Sequence, residues 1–141
     1  MNQSQLQTRS IDFTYDESAH RRLVTFRGPI TDRELLEAYA LLLGDPTYDA
    51  SVDDFIDLRE VTHMGVTSSG LHRLITMFEE RDSPGYSTRS AILAPTDVLY
   101  GVSRMFQTMR GDQHPDEIEV FRSLDETLCW LERRELPAAT R

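Results

Sequence analysis

The stretch FIDLREVTHMGVTSSGL, residues 55–71, decides how the chain is read. Its first half belongs to DDFIDLREV, a run of strand character in which Ile56 and Leu58 point to one face and Asp57 and Arg59 to the other, because side chains two apart on a strand share a side. Its second half, TSSGL, sets Thr67, Ser68, Ser69 and Gly70 where that strand hands over to the helix TSSGLHRLITMFEER, with Leu71, Leu74, Ile75 and Phe78 on one stripe. The hydroxyls have two available jobs, capping the helix or forming a modifiable surface.

Working outward, Ile11, Phe13 and Tyr15 alternate with Asp12 and Thr14, and RRLVTFRG follows the polar DESAH turn, so the two segments are expected to pair as an antiparallel hairpin. GPIT opens the next helix with Thr31 and Glu34 in capping-box spacing; Leu35, Tyr39 and Leu42 face inward, and Gly44 with Pro46 stops it. Beyond the central stretch, SPGYS reads as a turn and SAILAP as a buried strand. Thr96 caps a third helix whose inward stripe is read as Val98, Val102, Met105 and Met109. Ile118 and Val120 mark a last strand with outward glutamates, and Ser123 with Glu126 caps a last helix carrying Leu124, Leu128 and Leu131.

The order is therefore ββαβαβαβα, a single α/β domain over 11–134 with polar, mobile ends at 1–10 and 135–141. Strands alternating with helices imply right-handed crossovers and a mixed, mostly parallel sheet.

The 141 residues, 39% of them apolar, suffice for one core. With 15 basic and 24 acidic residues the net charge is −9, which repels a phosphate backbone and argues against nucleic acid as a partner. All basic residues are arginine, scattered rather than clustered. A lone Cys129, expected to pack as a small hydrophobe, excludes an internal disulfide framework and fits a reducing compartment; no apolar stretch reaches membrane-spanning length, so a cytoplasmic location is expected. His20, His63, His72 and His114 are dispersed, with no metal-ligand spacing, no glycine-rich phosphate loop and no G-x-S-x-G, so no metal, cofactor or catalytic residue is assigned.

The element order together with FIDLREVTHMGVTSSGL resembles the SpoIIAA-like superfamily, the STAS domains of anti-sigma factor antagonists and their bacterial relatives. GPITDRELL, DLREVT and YGVSRMF look closer to its STAS/SEC14-like branch. The resemblance implies helices packed predominantly on one face of the sheet. It also implies a phosphorylatable serine after the Asp-Leu strand, which places the candidate phosphoacceptor at Ser68, with Ser69 beside it. Thr67 stands where the family's loop has aspartate, and the strand-to-loop spacing is longer, with Gly65-Val66 as the apparent insertion.

The leading expectation is a non-enzymatic regulatory module acting through a protein partner. Its surface would comprise Asp57, Arg59, His63, Thr67 and Gly70, with Tyr100 and Arg104 from the third helix. A helix N-terminus would accept a phosphate on Ser68, while serine and threonine are equally preferred as plain caps. If the second sheet face is bare, Phe55 or Phe121 would be covered by a second copy, giving a homodimer. One alternative is a carrier or sensor holding an apolar ligand beside Met77, Met105, Phe106 and Met109, which requires a continuous internal cavity. Another is an enzyme, which requires Asp57, Arg59 and His63 to converge in a cleft.

Overall fold

The computed structural model describes residues 5–81, 88–111 and 117–133. Its elements are β1 (Gln5–Gln7), β2 (Ile11–Asp16), β3 (Arg21–Thr31), α1 (Asp32–Leu43), β4 (Asp53–Gly65), α2 (Ser68–Glu79), β5 (Arg89–Leu93), α3 (Asp97–Arg110), β6 (Glu117–Phe121) and α4 (Leu124–Glu132). The SPGYS turn, His114 and the segment 135–141 lie outside the described residues.

Six strands form one sheet in sequential order, β1 to β6. The first three pair antiparallel and β3 through β6 pair parallel. Strands added one after another in the same direction with right-handed crossovers put every crossover helix on one face. α1, α2 and α3 accordingly enclose the main core with the strand residues Ile11, Phe13, Val24, Phe26, Leu58 and Ile92.

The structure differs from the expected order at the N-terminus. Gln5–Gln7, inside the segment expected to be a mobile end, adds a strand against β2, with Leu6 packed on the core. A three-residue strand is too short to leave a periodic signal.

α4 corrects the expectation of a bare second face. It lies on the opposite side, where Phe55, Ala91, Leu93 and Leu131 form a second cluster with Phe121 and Trp130 against it. Phe55 and Phe121 are thus covered within the chain, and the argument for a second copy over them falls. Cys129 on α4 is exposed rather than packed.

α3 departs from its expected phase by one residue. Leu99, Ser103 and Arg110 are its buried positions, while Val98 is 61% exposed. A stripe chosen by apolar residues alone passes over the true one, because two of its members are polar.

Candidate functional site

The start of α2 is built by two helices. Thr67 is the N-cap, and its Oγ1 accepts the Gly70 N–H at 3.1 Å. The carboxylate of Asp32, the first residue of α1, accepts the Thr67 N–H at 2.8 Å and the Thr67 hydroxyl at 2.5 Å. Asp32 also occupies the space over Gly70, where a Cβ would stand 2.0 Å from its Oδ1. Gly70 is therefore glycine because a carboxylate lies against it, and its backbone needs no left-handed conformation. Ser68 and Ser69 are exposed in the first turn and take no part in the cap. The choice between cap and modifiable surface thus divides among the hydroxyls: Thr67 caps, and Ser68 and Ser69 face solvent.

The strand leading to this loop is longer than its partner. β4 slips register against β3 between Thr25 and Arg27 and again between Gly28 and Pro29, each time holding one residue more. Such bulges bend the strand and increase its twist. The residues that these slips add to β4 lie near Arg59 and Thr62. Gly28 meets the second slip with φ of +74°, a value favouring glycine.

Asp57 and Arg59 straddle the first slip and pair closely. The Arg59 Nη2 donates to Asp57 Oδ2 at 2.8 Å, its Nε to Oδ1 at 3.0 Å, and its N–H to Oδ1 at 3.0 Å. Burial works to raise the Asp57 pKa, but the Arg59 hydrogen bonds and charge outweigh it and hold the carboxyl below its ordinary value. His63 lies exposed farther along β4, its ring beside Gly65, and no hydrogen bond joins it to this pair among the described residues. The carboxylate is fully engaged by Arg59, so these residues do not form the convergent polar cleft that an enzyme would need.

Tyr100 and Arg104 on α3 meet each other at 3.5 Å, and the Arg122 guanidinium sits 4.5 Å from the Tyr100 ring centre. No hydrogen bond or ring contact joins them to Thr67–Gly70 among the described residues. His72 is exposed on α2, and His20 bonds the Tyr15 hydroxyl at 2.6 Å in the β2–β3 turn. Among the described residues no three potential metal-ligating side chains gather.

A cavity lies between α1, α2, α3 and the sheet, in the region where an apolar-ligand carrier was expected to hold its ligand. Its volume is about 120 Å³, it opens to solvent, and it lies below the roughly 300 Å³ at which drug-sized ligand sites begin. Of the methionines and aromatics expected around such a space, Phe106 lines it; Met77, Met105 and Met109 pack on the core without lining it.

Its floor is graded. The innermost cross-strand row is Arg22, Asp54, Ser90 and Ile118; the next is Val24, Ile56, Ile92 and Val120. Arg22 is 8% exposed, donates to Asp54 Oδ1 at 2.8 Å and to the Asp49 carbonyl at 2.6 Å, and lies 4.9 Å over the Tyr48 ring. Its guanidinium is penalised by burial, an effect that Asp54 and its other neighbours outweigh, so its pKa rises and the charge is retained. Burial drives the Tyr39 hydroxyl far up, with Asp54 adding, so Tyr39 lines the cavity as a neutral group. A second recess of about 300 Å³, with Asp45 and Asp49 in its wall, shares Arg22, Tyr48 and Val52 with the first.

No family model and no curated protein matches the chain. Among solved structures it is similar to an uncharacterized protein from the DUF3478 family with a SpoIIAA-like fold, from Shewanella loihica PV-4. The TM-score is 0.56 and the identity 14%, over 89% of this chain and 98% of that one. The chain has a SpoIIAA-like fold. The SEC14-like branch is not distinguished by this likeness. Val66 and Leu71, which flank Thr67–Gly70 in the chain, both line the cavity. Among the described residues, no helix is long and apolar enough to cross a membrane.

Proposed function

We propose that this SpoIIAA-like domain is a non-enzymatic module that binds a small, largely apolar molecule between its helices and its sheet. The observation that carries this reading is the pocket itself: a space of about 120 Å³, open to solvent, remains between the helices and the sheet beside the side chains of the main core. Its walls are apolar side chains of α1, α2 and α3, and a few polar groups gather at one end, the usual construction of a site that orients a ligand.

Titration calorimetry with benzene, an apolar molecule of the size that cavities of this order take, tests it. One saturable site is expected in the native chain. Ser103→Leu projects a side chain into the cavity from α3 and is expected to abolish that site while the protein stays folded. Absence of saturable binding in the native chain, or equal binding by the folded variant, would overturn the reading.

A second reading keeps the expected protein-contact role for the α2 start, and the exposure of Ser68 and Ser69 supports it. Asp32 alters its form. The carboxylate already takes the cap donors, so a phosphate added on Ser68 would enter a site holding a like charge and would disturb the α1–α2 junction. Mass mapping of residues 60–81 in protein isolated from its host tests this reading: phosphate at Ser68 or Ser69 supports it, and unmodified peptide in every growth condition removes it.

A further inference from the structure

We propose that the cavity selects a small neutral molecule with one apolar ring and a single hydroxyl, which hydrogen-bonds to the side chain of Ser103. This rests on the reading of the cavity as a ligand site and names the chemistry that the site prefers. The first observation is a buried hydroxyl with nothing to bond. Ser103 lies in the middle of α3 on its buried stripe, is 4% exposed and lines the cavity. Its hydroxyl makes no hydrogen bond among the described residues. Its Oγ is not sealed in the packing either, so the surface it keeps faces the cavity.

A hydroxyl within a helix either turns back to the carbonyl four residues earlier or points to water. The chain uses the first arrangement elsewhere. Thr127, fully buried on α4, donates to the Ser123 carbonyl at 2.7 Å, and Thr76 on α2 donates to the His72 carbonyl at 3.1 Å. Ser103 makes no such bond to the Leu99 carbonyl, and it is as buried as the leucines of the core. It is therefore a donor and an acceptor held inside an apolar wall, which is how a site recognises one polar group on an apolar body.

The second observation is that the charges of the wall are engaged or in water. Arg22 donates to Asp54 at 2.8 Å, the Arg110 guanidinium lies 5.4 Å from the Phe78 ring centre, and Arg81 is exposed. A charged ligand group would lose its hydration there without gaining a countercharge, so the matching group is neutral. The third observation is size. At about 120 Å³ the cavity is of the order of the roughly 150 Å³ space that accepts benzene, the scale of a single six-membered ring. Because it opens to solvent, water reaches Ser103 when no ligand is bound. A ligand that displaces that water without replacing its hydrogen bond loses affinity, and a hydroxyl on the ring replaces it.

Phenol and toluene have nearly the same shape and differ by a hydroxyl in place of a methyl. Titrating the folded full chain with each near neutral pH, where phenol is uncharged, therefore isolates the hydrogen bond. Phenol is expected to bind the native chain at least as tightly as toluene. Ser103→Ala removes the hydroxyl at a helical position that alanine suits, and is expected to weaken phenol about threefold to tenfold while leaving toluene unchanged or tighter. If toluene outbinds phenol in the native chain, or if the ratio of the two affinities is the same in the variant, the hydroxyl preference is wrong while the ligand site stands. If neither binds, the ligand site itself is wrong and the preference falls with it.

Discussion

The carboxylate of Asp32 at the start of α1 holds the N–H and the hydroxyl of Thr67 at the start of α2, 35 residues away, at 2.8 and 2.5 Å. One side chain thus fixes the relative position of two helices that wall the cavity, and it lies in the space that any side chain at Gly70 would claim.

Gly70→Ala tests that crowding. Alanine improves helix propensity by about 1 kcal/mol over glycine, yet here it drives Asp32 off its partners, and a net loss of about 1–3 kcal/mol is expected. In an Asp32→Ala background the same change should become neutral or stabilising. Denaturant titration of the four proteins gives the coupling between the sites. Additive effects would mean that Asp32 does not fill the space over Gly70.

The cap assignment separates the three hydroxyls. Thr67→Val should cost about 0.5–2 kcal/mol, whereas Ser68→Ala and Ser69→Ala should stay within about 0.5 kcal/mol. Thermal unfolding distinguishes them. A large effect at Ser68 with none at Thr67 would place the cap on the wrong residue.

Acid sensitivity follows from Asp57. Its carboxyl is held below its ordinary value in the fold, so the unfolded chain takes up that proton first as pH falls. The stability it contributes is therefore complete above the unfolded pKa, near 3.8, and is lost as pH drops through the lower folded value. Asp57→Asn should be less stable than the native chain at pH 6, and the gap should close below about pH 3. A gap that does not shrink in acid would show that the Arg59 pairing does not depend on the ionised carboxylate.

The pair Arg22–Asp54 is mostly buried, at 10% and 25% side-chain exposure. Asp54→Ala leaves the guanidinium enclosed without its carboxylate and should cost about 1–3 kcal/mol, less than a fully buried pair because Asp54 is partly in water. Arg22→Met together with Asp54→Leu should recover most of that loss. Chemical denaturation checks both, and a double variant as unstable as the single would contradict the assignment.

The elements that obey one period were legible in the sequence: the β2–β3 hairpin, α1 from Leu35 to Leu42, and the strand–loop–helix at 55–71 that carries the resemblance. What escaped were residues that break a pattern for a reason located elsewhere. Arg22 shares a face with Val24 and Phe26, and Asp54 with Ile56 and Leu58, so each charge falls on a strand's apolar side. Ser103 and Arg110 shift the true stripe of α3 away from its most apolar line. Charged residues in phase with an apolar face were the available signal for the cavity. Asp32 gave none, because its partner is remote in sequence and its position in a first helical turn is explained by the helix dipole alone. The placement of α4 on the second face is encoded by no local pattern in its own sequence.

The most direct test of the ligand site is methyl-resolved NMR of the full chain titrated with benzene. Saturable shifts are expected at Leu35, Ile56, Leu71, Leu74, Ile92 and Val102, which line the cavity, with Leu23, Leu93 and Leu131 on the opposite face unmoved. Shifts that never saturate, or that are as large at Leu93 and Leu131, would contradict binding between the helices and the sheet.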